Sequence, residues 1–221
     1  MSTETRPLPA AERAYAATKE LILSGRLPGG ALLSEGEIAE QLELSRTPVR
    51  EAFLRLEGEQ LLRLIPKRGA VVVPVGVGEV ADVLDVRMAL ETMAAKRLVQ
   101  LGDDLDSTLD PARQFISSQR ELAAAGDITG FAAADEQFHR ALVTAANNSI
   151  AERFYATLAD RQRRMTVGTV IPRPARLTIL IAEHTHLLEQ IAARDASGFE
   201  TALRAHFDAT FDLTHHASPQ R

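Results

Sequence analysis

The sequence predicts a mainly α-helical chain in two parts: three helices closed by a β-hairpin, then an all-α bundle of six or seven helices. Three observations predict it. Apolar residues recur at i, i+3, i+4 and i+7 along most of the chain, as in helices with one buried face. The one β-rich stretch is "LLRLIPKRGAVVVPV", where two runs of apolar and branched residues flank a turn containing Pro and Gly. From Glu79 to His215 helical spacing returns, with breaks near "LGDDLDS", "AAGDIT", "AANNS" and "VIPRPAR". Domains are expected over 1–75 and 76–217, with "PVGVG" (74–78) ending the first and starting a linker.

The elements follow in order. Residues 9–25 have helical spacing and end in Gly25, a C′ stop. "RLPGGALLSE" is a turn followed by a short extended piece. Ser34 stands three residues before Glu37, a capping box for a short helix over "EGEIAEQL". Ser45 opens the third helix, with Pro48 in the first turn, where a missing N–H costs least. Val49, Ala52, Phe53 and Leu56 form its apolar stripe. Helix, helix, turn, helix, hairpin is the order of a winged helix-turn-helix.

Composition narrows the function. The 221 residues include no cysteine, which excludes disulfides and thiolate metal sites and suits a reducing cytoplasm. The N-terminus "MSTETRPLPAAER" has no basic segment leading into an apolar core, so it is not read as a secretory signal. No apolar run approaches the roughly 20 residues that span a bilayer. The net charge of −5 lies wholly in residues 76–221, because residues 1–75 hold ten basic and ten acidic side chains. Within them, residues 45–70 carry six basic against three acidic residues. That local excess suits a polyanion, although charge alone points more to a solvated helix face.

Arg46 and Arg50 are four apart and share the face opposite the apolar stripe. A guanidinium can bind guanine O6 and N7 bidentately, and the hydroxyls of Ser45 and Thr47 suit phosphates or bases. Lys67 and Arg68 lie in the turn of the hairpin, where they can reach the adjacent DNA backbone. The stretch "GRLPGGALLSEGEIAEQLELSRTPVREAFLRLEGEQLLRLIPKRGAVV", about 25–73, resembles the winged-helix domain of the GntR family of bacterial transcription regulators. The resemblance implies double-stranded operator DNA as a partner. It carries DNA contacts over to Ser45, Arg46, Thr47 and Arg50, and to Lys67, Arg68 and Gly69 at the wing. Two departures stand out. Gly36 occupies a position where relatives carry larger residues. Gln60 replaces the usual glycine after the recognition helix, so a remodelled cap is expected there.

In "FAAADEQFHRAL", Asp135 and His139 are four apart on one helix face. Later helices add His184, His186 and His206. A carboxylate with three imidazoles suits a borderline divalent ion, and the spacing alone suits a solvated Asp–His pair equally well. "RMALE", "DEQFHRAL…NN", "EHTHLLEQI…RD" and "ALRAHF", in that order, resemble the FadR C-terminal or FCD domain over about 80–215. That resemblance implies a metal held by Asp135, His139, His184 and His206, with Zn²⁺ expected and Ni²⁺ or Mn²⁺ as alternatives. His184 and His186 are about 200° apart on a helix, so only one can face the ion, and the motif matches His184. His215 and His216 are expected in a solvated tail. The resemblance also implies Arg87 and Asn148 as contacts to a small carboxylate effector. Asn148 has a competing role as a helix cap, and at least one of Arg161 and Arg164 is expected at the surface.

The expected function is a cytoplasmic, effector-responsive transcription regulator, a repressor that binds a pseudo-palindromic operator as a homodimer. It is not expected to be an enzyme, for there is no HExxH motif and no evident general base for a metal-dependent hydrolase. The alternative is a DNA-binding protein stabilised by a metal and indifferent to any effector.

Overall fold

The structure, a computed structural model, describes residues 8–102 and 104–211, and divides into two compact units meeting at Val75/Gly76. The first seven residues and the tail with His215 and His216 lie outside the described residues.

The first unit contains α1 (Ala10–Leu23), β1 (Leu32–Leu33), α2 (Glu35–Gln41), α3 (Arg46–Gly58), β2 (Leu62–Ile65) and β3 (Gly69–Val72). Ser24 caps α1 and Gly25 follows at φ 74°, the left-handed turn that ends the helix. The capping box at α2 is complete: the Ser34 hydroxyl accepts from the amides of Gly36 and Glu37, and the Glu37 carboxylate accepts from the Ser34 amide. All four stripe residues of α3 are buried. With Ala14 and Ile22 of α1 and Leu62, Ala70 and Val72 of the sheet, they make one core.

Two local features differ from expectation. The "short extended piece" is a third strand: β1 pairs antiparallel with β3, Leu32 opposite Val71, giving the order β1-β3-β2. Two residues are too few for a readable alternation, so sequence could not show it. Gln60 keeps the left-handed cap instead of remodelling it, at φ 61°, with Leu61 N–H bonded to Leu56 O at 2.9 Å. A side chain in that region costs about 1–2 kcal/mol, which the buried Leu61 and Leu62 offset.

The wing turn places Lys67 at φ 62° after Pro66, a type II arrangement closed by Arg68 N–H to Ile65 O at 3.0 Å. Gly69, at φ 96°, opens β3, and a Cβ there would run into the Leu33 carbonyl. The wing therefore docks on β1 only because residue 69 is glycine.

The second unit contains eight helices among the described residues: α4 (Val77–Leu98), α5 (Leu105–Thr108), α6 (Asp110–Ala125), α7 (Ile128–Ala145), α8 (Ser149–Ala156), α9 (Ala159–Val170), α10 (Arg176–Ala192) and α11 (Ala196–Phe211). Six or seven were expected. The extra elements are the single turn α5 and a break at Thr157–Leu158 that lacks Gly or Pro. The linker is also shorter than expected, since α4 starts at Val77.

α7 buries nine residues, packing on α6, α4 and α9. The polar residues Asp135, Glu136 and His139 stand among them. α4 likewise buries Arg87 and Glu91 on its inner face. Arg194, between α10 and α11, donates to the carbonyls of Val99 and Gly102 at 2.9 Å each, and to that of Leu101. One guanidinium thus ties that turn to the carbonyl-rich end of α4.

Candidate functional site

The first unit carries a concave face of about 620 Å³ between α3 and the wing. Arg46, Arg50, Lys67, Arg68 and Gly69 line it. Ser45, Arg46, Thr47 and Arg50 are all exposed, as are Lys67 and Arg68. The N-terminus of α3 differs from that of α2. It has no acidic residue in its first turn, and the Ser45 side chain makes no capping bond. Its first amides and the positive end of its dipole are left for an anion, as phosphate recognition requires. Gly36 has a direct consequence: a Cβ there would lie 3.3 Å from the Arg46 guanidinium, so the glycine lets Arg46 lie across α2.

The second unit gathers His139 of α7, His184 of α10 and His206 of α11, all buried, with ring nitrogens within 4.8 Å of one another. Asp135, one turn before His139, brings Oδ1 to 3.3 Å from His184 Nε2. His186 is exposed and sits against Glu189, away from this cluster.

Each imidazole is oriented from behind. His139 Nδ1 meets Glu91 Oε2 at 2.7 Å, His184 Nδ1 meets Gln119 Oε1 at 2.8 Å, and His206 Nδ1 meets Glu183 Oε2 at 2.8 Å. The partners set the tautomers. A carboxylate only accepts, so Nδ1 of His139 and of His206 carries the proton. Gln119 donates its Nε2 to Ala134 O at 3.3 Å, so its Oε1 accepts from His184. Burial holds both His139 and His184 below the ordinary imidazole value of 6.5. For His139 the Glu91 carboxylate pulls the other way without prevailing, and for His184 the neighbouring His139, His206 and Arg87 add to the effect. Both rings are therefore neutral, with bare lone pairs at Nε2.

Nε2 of His139 and Nε2 of His184 are buried and have no hydrogen-bond partner among the described residues. Thr166 donates to Asp135 Oδ2 at 3.0 Å, which leaves Oδ1 facing His184. The bare Nε2 atoms of His139 and His184, the His206 ring and the Asp135 carboxylate come together in one cluster. That set fits a divalent cation, with Glu91, Gln119, Glu183 and Thr166 as the supporting shell.

Arg87 lies beside this cluster, 1 % exposed. Its Nε donates to Glu91 Oε1 at 2.9 Å, and its guanidinium stacks over Phe207 at 4.5 Å. Its Nη2 has no partner among the described residues. Glu91 also accepts from Tyr155 OH at 2.7 Å. Burial alone would raise the Glu91 carboxyl, yet His139 and Arg87 hold it down to about 2.

Asn148 is the N-cap of α8: its Oδ1 accepts from the amides of Ile150 and Ala151 at 3.2 Å each. Arg161 pairs with Glu79 at 3.0 Å, partly exposed. Glu91, Gln119, Tyr155, Gln162, Thr166 and Glu183 were missed from sequence. Only Glu91 had a visible signal, its i+4 spacing from Arg87 within "RMALE".

The depressed histidines give a pH dependence. In metal-free protein His139 and His184 each take a proton more readily unfolded than folded. Stability is then full above about 6.5 and falls as pH falls below it, by up to about 1.4 kcal/mol per pH unit for each ring. Glu91 adds a second loss as pH falls from 4.5 towards 2. Melting of chelator-treated protein from pH 7.5 to 5 should show a declining Tm. A Tm that rises on acidification contradicts the assignment of neutral rings.

A family model described as "Bacterial regulatory proteins, gntR family" matches residues 10–72, and the FCD domain model matches 82–209. An uncharacterised HTH-type transcriptional regulator of Streptomyces ambofaciens is 31% identical over 209 residues, covering 90% of this chain and 82% of the relative. A protein of Paenarthrobacter nicotinovorans named "Probable D-xylose utilization operon transcriptional repressor" is 32% identical over 197 residues, 89% and 85% of the two chains. The gluconate operon transcriptional repressor of Bacillus subtilis is 27% identical over 195 residues, 86% and 79% of the two. A solved structure of a GntR regulator from Rhodococcus sp. RHA1 aligns with TM-score 0.77 at 21% identity, over 95% of this chain and 99% of that one.

Proposed function

This chain belongs to the GntR family of bacterial regulatory proteins, carries an FCD domain and is a transcriptional regulator, not an enzyme; from that premise we propose that a small carboxylate, bound beside a divalent ion in the second unit, controls operator binding by a homodimer. The observation that carries this reading is one buried cluster of three histidines and Asp135, two of whose ring nitrogens are unpartnered, beside an unpartnered guanidinium N–H, that of Arg87. Asp135, His139, His184 and His206 would hold the ion, with Zn²⁺ the best match to three nitrogens and one oxygen. A bound ion would supply fixed positive charge and a coordination position for an effector oxygen. Arg87 Nη2 would donate to the effector carboxylate. Phe138, stacked on His184 at 4.5 Å, and Phe207 keep water from the rings.

Arg87 and Glu91 stand on α4, the helix that begins two residues after the first unit ends. Ligand bound at Arg87 thus acts on the element leading out of the DNA-binding unit. It shifts the DNA-bound population only by its differential affinity for the two states. Relatives named as repressors support repression as the action on the operator, and the effector would relieve it. A two-fold dimer calls for a pseudo-palindromic operator. No helix among the described residues is long and apolar enough to cross a membrane.

The test is a mobility shift at fixed salt, using metal-loaded chain and DNA selected from a random pool. A small carboxylate should change the affinity in wild type and not in Arg87→Met. Operator binding that no acid alters would favour the second reading, a metal-stabilised DNA-binding protein without an effector.

A further inference from the structure

An ion can occupy the histidine cluster only if a path leads to it from water. His139 and His184 are 0 % exposed, and Phe138, itself buried, stacks on His184 at 4.5 Å. That side is sealed by hydrocarbon. His206 differs. Together with Glu183, the carboxylate behind it, His206 lines a cleft of about 720 Å³ between α10 and α11. Centre to centre, its ring lies 5.0 Å from that of His184 and 5.3 Å from that of His139. One imidazole therefore stands between the cleft and the rest of the cluster.

The sequence builds this cleft. α11 presents Gly198, Ala202, Ala205 and Ala209 to it, at i, i+4, i+7 and i+11, so one helix face carries almost no side chain and the space beside α10 stays open. The wall from α10 is polar, with Glu183 and His186 one turn apart. Glu183 and Asp195 line the cleft and, among the described residues, no Lys or Arg does, a balance that favours a cation. The Glu183 side chain is 24 % exposed, yet its Oε2 accepts from His206 Nδ1 at 2.8 Å. One carboxylate thus touches both water and the cluster, and Arg176 fixes it at 3.0 Å. His186 is exposed and outside the cluster, with Nδ1 at 3.4 Å from Glu189. A carboxylate and an imidazole on adjacent turns at the mouth of an acidic cleft have the chemistry to take a divalent ion from water.

We infer that the cleft between α10 and α11 is the route by which the ion reaches the buried site, and that Glu183 and His186 form a transient capture site at its mouth. This rests on the metal reading of the cluster. The ion is taken first by His186 and the exposed side of Glu183, then passes His206 to the bare Nε2 atoms of His139 and His184. A capture site lowers the barrier to entry and to exit by the same amount. Its removal slows both and leaves the affinity unchanged. A residue that supports the bound ion behaves otherwise, because its loss costs about 10–100-fold in affinity.

The experiment uses metal-free full chain and Co²⁺, whose visible absorption changes as nitrogen and oxygen ligands replace water. Stopped-flow mixing gives the uptake rate, excess chelator gives the release rate, and chelator competition gives the Kd. His186→Ala removes the capturing ring, and Ala205→Phe fills the cleft. Both positions are exposed, so the fold is kept. Each variant should slow uptake and release by about tenfold, the low end of what a focusing cleft adds to capture, with Kd within about twofold of wild type. Uptake as fast as wild type in either variant overturns the inference. So does a Kd in His186→Ala weakened through faster release alone, which would make His186 a ligand of the bound ion. If wild type takes up no Co²⁺, the metal reading fails and this inference with it, an outcome distinct from uptake that the variants do not slow.

Discussion

Glu91→Ala is expected to destabilise the protein by about 3–5 kcal/mol, the cost of stripping one partner from a buried ion pair. The substitution leaves two buried donors without an acceptor, Arg87 Nε and His139 Nδ1, and leaves Tyr155 OH only its longer contact to Gln162 Oε1. Glu91→Gln keeps the shape and one acceptor oxygen and should lose less. Denaturant unfolding of the three proteins decides it. A loss below about 1 kcal/mol in Glu91→Ala would place the hub among ordinary surface contacts and contradict its role as the support of His139 and Arg87. The two oxygens of Glu91 divide between those two residues, so the same substitution should also weaken metal retention.

Arg46→Ala and Arg50→Ala should each weaken binding to selected DNA by about 1–3 kcal/mol and relax the preference at one base position. Both side chains are exposed and line the face shared with the wing, so fold stability should barely change. Lys67→Ala should act differently: a phosphate contact lowers affinity across all sequences and reduces the salt slope by about one. Unchanged operator affinity in both arginine variants would refute the assignment of α3 as the reading helix.

The sequence made the DNA-binding unit legible because its signals are local. A capping box, a helix stripe and a Pro–Gly turn each specify backbone within a few residues, and the structure shows all three. β1 was not legible, since a two-residue strand exists only through its pairing with β3. In the second unit, the spacing of Asp135 and His139 and the motif around His184 pointed to one cluster, and the structure brings Asp135 and the three histidines together. Its supports come from four other places in the chain. Gln119, Thr166 and Glu183 matter because the packing of helices brings them against His184, Asp135 and His206, a relation no spacing along one helix encodes. Gln162 lies in "ADRQRRMTVGTV", whose polarity reads as a solvated helix, although Gln162, Met165 and Thr166 are buried. Asn148 shows the opposite case, where a local cap signal is met by a cap in the structure.

The reading of the second unit stands on a bound ion, and metal content tests it most directly. Elemental analysis of protein purified without chelator should find about one divalent ion per chain, the number a site of three imidazoles and one carboxylate holds. Asp135→Ala combined with His184→Ala should reduce that occupancy severalfold while the first unit still binds DNA. An ion-free wild type whose operator binding still answers a carboxylate would contradict the account.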